Sequence, residues 1–509
     1  MSATGPLDLA SQAAALEIGQ RLSEAPSGRL TSMAFSRELN AQLGLAPALS
    51  WVDLAHTLTL AEEGVIPPDA ARPLIAALLE LQQNPASFAP SSGFGDLYTN
   101  REAWLAKHTS AAGWLGVARA RREALTTAYH LVLCDELLGL GDSLAGVAEA
   151  LNAISLRHRT TFTPDYTYLQ QAQPTTFGHY FQSFAWPVLR DLDRIEAIYG
   201  RAGQCPAGIG SSNGTVTVQN RRKLAERLGF SKPVRHARDA IWQADIALEA
   251  CAAALAAALN LDRLAEDLMI LASSEFGFVK LADRHARASK ILPQKRNPYA
   301  LAFIRATANR LIGVLAGVAA ASRTPSGQMD NRLFVYEAVP DALRSSAEAA
   351  SLAAECISGL SIDEARSQAA LASRSARASD LAERLMAAAG IDYRAAHKVA
   401  GGLARALEEK GRCLADVSAS DVSEALKSAG LPAKGVTEDL VSAALDPALC
   451  VSARNDTGGA APEEVAAMAS ELKDLVSERR CRFESRRARQ EKALRSLLVE
   501  AKTFAEARP

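Results

Sequence analysis

Apolar residues recur along this chain at alternating spacings of three and four positions. One such stripe comprises Leu137, Leu140, Leu144, Val147, Leu151 and Ile154, and a second comprises Leu301, Ile304, Ala308, Leu311, Leu315 and Val318. This spacing places every member of a stripe on one face of a helix. The heptad-like period is typical of long helices that pack at shallow angles in a bundle. No strand-like alternation persists anywhere, so the pattern predicts helix nearly throughout and an all-α fold.

Breaks rich in proline, glycine and serine divide the predicted helices into three parts. Residues 1–118 hold shorter helices, residues 119–362 hold the long ones, and residues 363–509 return to shorter helices before a charged terminal helix. Two loops interrupt the middle part, at residues 205–215 and 281–298. We therefore expect three helical domains, the central one built as a bundle of long helices.

The charge and composition of the chain argue against several classes of binding partner. The formal net charge is -1, so no overall positive field attracts nucleic acid or anionic membrane. The alanine-rich stretch at residues 247–261 is too short and too weakly apolar to span a bilayer, and the N-terminus has no signal pattern. The seven cysteines are scattered, which is typical of reduced thiols rather than metal ligands. We expect a cytoplasmic protein without a nucleic-acid, membrane or metal partner.

Residues 288–298 read ASKILPQKRNP and combine a hydroxyl, three cations and an amide. Prolines on both sides of Lys295 disfavour helix, so this segment is predicted to be a loop. A serine acts as a base only if its alkoxide is stabilised, and Lys290 and Lys295 lie close enough in sequence to Ser289 to do this. The same cations suit a substrate carboxylate or a developing oxyanion. On composition alone an ordinary basic surface loop remains the alternative.

This loop resembles the GSSxMPxKxNP signature of the aspartase/fumarase superfamily. The resemblance implies that Ser289 removes a proton from the carbon beside a substrate carboxylate. It further implies that Lys295 and Asn297 hold that carboxylate and its developing charge. Three positions depart from the signature: Ala288, Lys290 and Leu292.

Residues 166–174, YTYLQQAQP, resemble the YTHLQxAQP segment of the same superfamily. Thr167 and Gln170 match, and the family threonine contacts the substrate carboxylate. Tyr168 replaces the family histidine, and Ala302 stands where its partner glutamate is expected. Because both members of the proton-transfer pair are absent together, the sequence indicates a remodelled site. Tyr168 could still donate a proton, although an unperturbed tyrosine has a pKa of about 10.

Residues 118–124, ARARREA, resemble the GRSRNDQ segment of argininosuccinate lyases, with matches at Arg119 and Arg121. A guanidinium binds a carboxylate through two parallel hydrogen bonds, so Arg121 is a candidate substrate clamp. A helix-surface ion pair is its alternative role.

Weaker matches follow in the family's order along most of the chain, at residues 96–102, 208–215, 390–397 and 451–462. The first of them includes Asn100. Residues 330–338 depart from the family segment that binds the amino-acid end of argininosuccinate, where Asp330, Val335 and Ala338 replace a tyrosine, a glutamine and a lysine. A site that has lost such polar partners binds a zwitterion poorly. The chain thus resembles the argininosuccinate lyase branch, but these replacements argue against argininosuccinate as its substrate.

The resemblance implies a central five-helix bundle, a homotetramer with a twenty-helix core, active sites built from three subunits, and no cofactor. We assign catalytic roles to Ser289, Lys295 and Tyr168. We assign binding of a small dicarboxylate or succinyl-amine substrate to Thr167, Asn297, Arg121, Gln170, Lys290 and Asn100. Three hypotheses remain: β-elimination of fumarate from an N-succinyl amine or amino acid, a genuine argininosuccinate lyase, and a catalytically silent paralogue acting as a binding or structural tetramer.

Overall fold

The computed structural model describes residues 24–323, 332–373 and 376–507. The α-helices before the bundle are α1 (Gly28–Leu30), α2 (Ser36–Gln42), α3 (Ala46–Glu62), α4 (Pro68–Gln83) and α5 (Leu97–His108). The next are α6 (Arg121–Arg157), α7 (Phe177–Ala202), α8 (Arg221–Arg227), α9 (Ala237–Trp242), α10 (Asp245–Leu271), α11 (Tyr299–Ser322) and α12 (Arg332–Ser358). The last are α13 (Glu364–Ser373), α14 (Ala378–Ala389), α15 (Tyr393–Glu408), α16 (Ala419–Ser428), α17 (Glu438–Leu445), α18 (Pro447–Ser452) and α19 (Pro462–Glu506).

Short 3-10 helices lie at Leu43–Leu45, Pro85–Ser87, Ser92–Phe94, Ala112–Gly116, Asp283–His285 and Leu414–Asp416, and Thr31–Phe35 is a π-helix. The strands are β1 (Phe162–Thr167), β2 (Gln170–Thr176), β3 (Val279–Lys280), β4 (Arg287–Ala288), β5 (Arg296–Asn297) and β6 (Ser361–Ile362). They pair antiparallel as β1 with β2, β3 with β6, and β4 with β5.

The long helices α6, α7, α10, α11 and α12 pack against one another as the central bundle. Both predicted apolar stripes face its interior. All six residues of the α6 stripe are buried, and so are those of the α11 stripe except Leu315, which is partly buried against the core. Burial of a leucine or isoleucine side chain contributes about 1.5–3 kcal/mol, so these stripes supply much of the driving force for the bundle. The all-α prediction is confirmed.

The two largest hydrophobic clusters of the described residues are separate from each other. The larger joins the bundle to α3, α4 and the terminal helix α19, and the smaller lies between residues 381 and 445. The terminal helix therefore packs on the bundle, far in sequence from the helices that it covers. The division at residues 118 and 362 stays a prediction.

The expectation of helix nearly throughout is wrong for residues 162–176, which form the β1–β2 hairpin. Burial in its strands does not alternate, because residues at the base of the hairpin are buried and those toward the tip are exposed. The two residues at its turn, Tyr168 and Leu169, are not the usual turn formers, so local sequence carried no hairpin signal.

Helix α11 is long and apolar enough to cross a bilayer by length and composition alone, with a mean hydropathy of 1.4 in its most apolar window. The core helix of a soluble protein passes the same test. The apolar stripe of α11 is covered by the bundle, whereas the opposite face of the helix is exposed in the single chain.

Gly141 of α6 marks the tightest contact between the bundle and the terminal helix. A Cβ atom added there would lie 2.6 Å from Cε2 of the fully buried Phe483. We predict that Gly141→Ala destabilises the protein by about 1–3 kcal/mol, since the ring has no room to move. The measurement is the thermal unfolding midpoint of the purified protein.

Gly139→Ala is the matched control, because a Cβ there has nothing within 4 Å on the same helix. It should leave stability unchanged or raise it by up to about 1 kcal/mol through helix propensity. Equal effects of the two substitutions would show that the contact with Phe483 does not matter.

Candidate active site

The loop at residues 281–298 connects β3 to α11 and is closed by the β4–β5 pair. The backbone N–H of Ser289 donates to the carbonyl of Lys295 at 3.1 Å, and that of Lys295 donates to the carbonyl of Leu292 at 3.0 Å. Arg296 anchors the base of the loop, because its guanidinium binds the Asp283 carboxylate at 2.8 Å and the Leu281 carbonyl. The segment is therefore an ordered turn rather than a loose basic loop.

The Ser289 hydroxyl lies inside this turn. Its oxygen accepts hydrogen bonds from the backbone N–H of Leu292 at 3.1 Å and of Ile291 at 3.4 Å. Two aligned N–H dipoles favour a negative charge on that oxygen, which is what a serine base requires.

Lys290, Lys295 and Asn297 follow Ser289 within the same loop. Lys290 and Lys295 are exposed, and neither forms an ion pair with any residue that the structure describes. The side-chain amide of Asn297 donates to the Arg287 carbonyl at 3.2 Å, across the β4–β5 pair. Asn297 therefore braces the turn, while both ammonium groups remain available for an anion.

The β1–β2 hairpin presents three of the predicted site residues at its tip. Thr167 pairs with Gln170, and both are exposed. Tyr168 and Leu169 form the two-residue turn with φ of 54° and 57°, and Tyr168 is 99% exposed. Each left-handed residue that is not glycine costs roughly 1–2 kcal/mol. The chain thus holds a strained tip away from its own core, a feature that often accompanies function.

Arg121 is the first residue of α6, and its guanidinium lies 3.4 Å from the carboxylate of Asp96. Asp96 caps α5 by accepting from the backbone N–H of Thr99 at 2.8 Å. Asn100 is buried beside this cap, where it accepts from Ser91 N–H at 2.7 Å and donates to the Asp96 carbonyl at 2.9 Å. Its amide holds the segment before α5 in place, and its predicted contact with substrate stays a prediction.

The predicted residues thus occupy three elements: the loop before α11, the hairpin tip, and the start of α6 with its α5 neighbour. Within the described chain, no hydrogen bond or ion pair joins the loop side chains to those at the hairpin tip. Asp330 and Asn331 lie outside the described residues. Val335, which replaces the family glutamine, is buried in the bundle.

Comparisons with known proteins show the family of the chain. Residues 91–313 match the family model described as Lyase, and residues 375–452 match the one described as Argininosuccinate lyase C-terminal. The chain is 32% identical to an argininosuccinate lyase of Methanothrix thermoacetophila, over 94% of this chain and 97% of that protein. It is also 32% identical to that of Methanoculleus marisnigri, over 92% and 96%.

This chain belongs to the argininosuccinate lyase-like branch of the aspartase/fumarase superfamily. It is an argininosuccinate lyase-like carbon–nitrogen lyase. Solved structures agree on the fold. A variant of EDDS lyase with bound fumarate has a TM-score of 0.86 at 24% identity, covering 96% of this chain and 98% of that one. The 3-carboxy-cis,cis-muconate lactonizing enzyme of Pseudomonas putida has a TM-score of 0.68 at 21% identity, covering 85% and 95%.

A buried charge cluster behind Arg121 was not anticipated from the sequence. In this lyase, Asp53 of α3 accepts from Arg101 at 2.8 Å and from Arg119 at 2.6 Å, with all three side chains buried. The only sequence signal was an acidic residue within the otherwise apolar run of α3. Since removing one partner of a buried pair typically costs about 3–5 kcal/mol, this cluster fixes the chain just before Arg121.

Glu123 ties the start of α6 to the glycine-rich loop at residues 205–215. Its carboxylate accepts from the backbone N–H of Gly208 at 2.7 Å, and Ala120 N–H donates to the Gly210 carbonyl at 3.0 Å. Gly208 has φ of +81°, and a Cβ there would lie 2.7 Å from Arg221, so only glycine fits. Burial raises the pKa of Glu123 to about 7 even though these backbone donors favour the carboxylate.

This pKa predicts how stability depends on pH. Because the folded pKa lies above the ordinary value of 4.5, folding favours protonated Glu123. Its contribution is fully present below pH 4.5 and is lost as pH rises to about 7. The full change is on the order of 3 kcal/mol. We predict that Glu123→Gln, which keeps the acceptor for Gly208, gains stability relative to wild type as pH rises from 5 to about 8.

Unfolding midpoints of both proteins across that range provide the measurement. A difference between the two proteins that stays constant with pH would contradict the assigned pKa. Glu102→Gln is a useful comparison, since burial also raises the pKa of Glu102 but no Gly-rich loop depends on it.

Proposed function

We propose that this lyase releases fumarate, or a close analogue, from an N-succinyl amine or amino acid by β-elimination. The observation that carries the proposal is the Ser289 hydroxyl, whose oxygen accepts hydrogen bonds from two backbone N–H groups in a loop that also carries the exposed Lys290 and Lys295. That arrangement stabilises an alkoxide and an anionic substrate at the same place.

In the proposed reaction, Ser289 takes a proton from the substrate carbon that lies beside one carboxylate. The electron pair left behind spreads into that carboxylate, and the resulting dianion is stabilised by Lys295, Asn297, Thr167 and Arg121. The pair then forms the carbon–carbon double bond as the C–N bond breaks. The departing nitrogen takes a proton, and the exposed Tyr168 hydroxyl is the donor that we assign.

The replaced residues favour a substrate other than argininosuccinate. Tyr168 and Ala302 remove the family's histidine–glutamate pair, and Val335 is an apolar, buried residue where relatives carry glutamine. A polar substrate end that lost these partners would stay unpaired in the site. Argininosuccinate itself is the second candidate, because curated relatives of that name align over nearly the whole chain.

An ultraviolet assay for fumarate, with argininosuccinate beside a panel of N-succinyl amines and amino acids, tests the reaction. We predict that Ser289→Ala lowers kcat about a thousand-fold on whichever substrate the wild type cleaves, as expected for loss of a general base. Ser273→Ala is the matched control, since that hydroxyl also accepts a backbone N–H, from Phe276 at 3.3 Å, in a nearby turn.

Each outcome separates the hypotheses. Release of fumarate from argininosuccinate alone would mean that the protein is an argininosuccinate lyase. Fumarate from another substrate would support the proposal. Full turnover by the Ser289→Ala variant would exclude Ser289 as the base. If the wild type binds ligands but turns over no substrate, the protein is a silent paralogue.

We also propose that the protein is a cytoplasmic homotetramer, with α11 at the interface between subunits. Opposite its buried stripe, α11 carries a second stripe of small, exposed residues: Ala302, Ala306, Gly313, Ala316 and Ala320. Small residues allow helices to approach closely, and Phe303 and Ile312 beside them are about half exposed. The site segments that face away from their own core would then meet across subunits.

Gly313→Glu tests this interface. A Cβ at Gly313 has nothing within 4 Å in the chain, so the substitution leaves the single subunit intact while placing a charge in the proposed contact. We predict a shift from tetramer to smaller species, measured by size-exclusion chromatography with light scattering, and loss of activity.

Gly401→Glu is the control, since Gly401 is equally open on the exposed face of α15. It should leave the mass unchanged. A Gly313→Glu protein that keeps the mass of the wild type would place the interface elsewhere.

A further inference from the structure

A cavity of about 430 Å³ lies beneath the β1–β2 hairpin, between it and helices α7 and α10. Aromatic rings form much of its wall: Tyr166, Phe177, Tyr180, Phe184 and Phe276. Tyr166 packs edge-on against Phe276 with ring centroids 5.2 Å apart, and Tyr180 packs in the same way against Phe184 at 5.4 Å. The volume suits a small organic molecule.

The floor of this cavity carries the carboxylate of Asp267, which has no ion-pair partner within the described part of the chain although Arg263 lies on the same helix. Asp267 of α10 is partly buried there and accepts a hydrogen bond from the Tyr180 hydroxyl at 3.1 Å. Among the residues that the structure describes, Asp267 forms no ion pair. Burial raises the pKa of this carboxyl, and the hydrogen bond from Tyr180 and the charge of Arg263 offset that effect only in part.

The other charged groups around the cavity leave it acidic. Asp165 of the hairpin lies at the exposed rim, and Arg263 lies one helical turn before Asp267. Arg263 is exposed and forms no ion pair with Asp267, so its long side chain remains free to turn toward water. Two carboxylates against one guanidinium disfavour an anionic ligand.

We propose that this cavity binds a primary ammonium ion attached to a small aromatic or alkyl body. The ammonium would pair with Asp267, which relieves the cost of a desolvated and unpaired carboxylate. The surrounding ring faces attract the same positive charge and cover the apolar body of the ligand. A neutral molecule of the same shape would leave Asp267 further desolvated and unpaired.

Occupancy of the cavity would reach the predicted active-site segment directly. Tyr168 and Leu169, the strained turn of the hairpin, also line the cavity. A bound amine would therefore contact the turn that carries Tyr168 and restrict its motion. The binding proposal does not rest on the proposed reaction, because it needs only the cavity of a single chain.

Isothermal titration calorimetry of the full-length protein with phenethylamine, without substrate, tests the proposal. We expect phenethylamine to bind more tightly than 2-phenylethanol and 3-phenylpropanoate, which keep the ring but replace the ammonium. Asp267→Asn, which keeps an acceptor for Tyr180, should weaken phenethylamine binding at least about tenfold.

Two further variants separate this cavity from other binding places. Glu266→Gln removes the same charge from the adjacent position on α10, outside the cavity wall, and should bind phenethylamine like the wild type. Ser183→Tyr places a ring in the cavity from the exposed side of α7 and should weaken binding without changing any charge. No binding to the wild type, equal binding of 2-phenylethanol, or unchanged affinity in Asp267→Asn would overturn the proposal.

Discussion

Close packing along α6 is the constraint on which the rest of the structure depends. One face of this helix, Arg121–Arg157, is buried along most of its length against α7, α12 and the terminal helix. At Gly141 the contact is so tight that Phe483 occupies the volume of a missing side chain. Because packed interiors tolerate little change in volume, α6 has one position in the bundle. That position determines where Arg121 and Glu123 lie at its start.

Buried charges then attach the surrounding segments to this end of the bundle. Asp53 of α3 binds Arg101 of α5 and Arg119 of the segment before α6. Three segments are therefore joined through one carboxylate. Glu123 does the same for the glycine-rich loop through backbone donors. Such groups contribute little net stability, but breaking any one of them is costly, which makes the arrangement specific. A substrate clamp at Arg121 needs that specificity more than it needs added stability.

The predicted catalytic groups lie on elements that turn away from the subunit's own core. The hairpin tip is strained and exposed, and the serine turn presents two exposed lysines that form no ion pair with the residues described. Both features are unfavourable for an isolated chain and are explained if neighbouring subunits complete the site. The hairpin also roofs an acidic aromatic cavity, so two binding functions would meet at the same turn. A ligand in the cavity would then contact the strained turn that carries Tyr168.

The sequence by itself determined the helical fold and the family. Two apolar stripes with a period near 3.5 favoured a bundle over two unrelated amphipathic helices, since long helices with the same period pack along their shared apolar faces. The serine turn was recognisable because prolines on both sides of Lys295 disfavour helix and because the segment resembles the superfamily signature, whereas composition alone left a basic surface loop as the alternative. These features depend on residues that are close together in the chain, so a single sequence displays them.

Only the tertiary structure decided the rest. The hairpin escaped prediction because the two-residue turn between its paired strands requires positive φ at Tyr168 and Leu169, a conformation that neither residue type prefers locally. Asp53 meets Arg101 and Arg119 from 48 and 66 residues away, and the Asp267 cavity joins α7, α10 and the hairpin. Burial, ion pairing and shifted pKa values arise from contacts between distant segments. A local sequence pattern cannot predict these features, because their free energies depend on which distant segments pack together and exclude water.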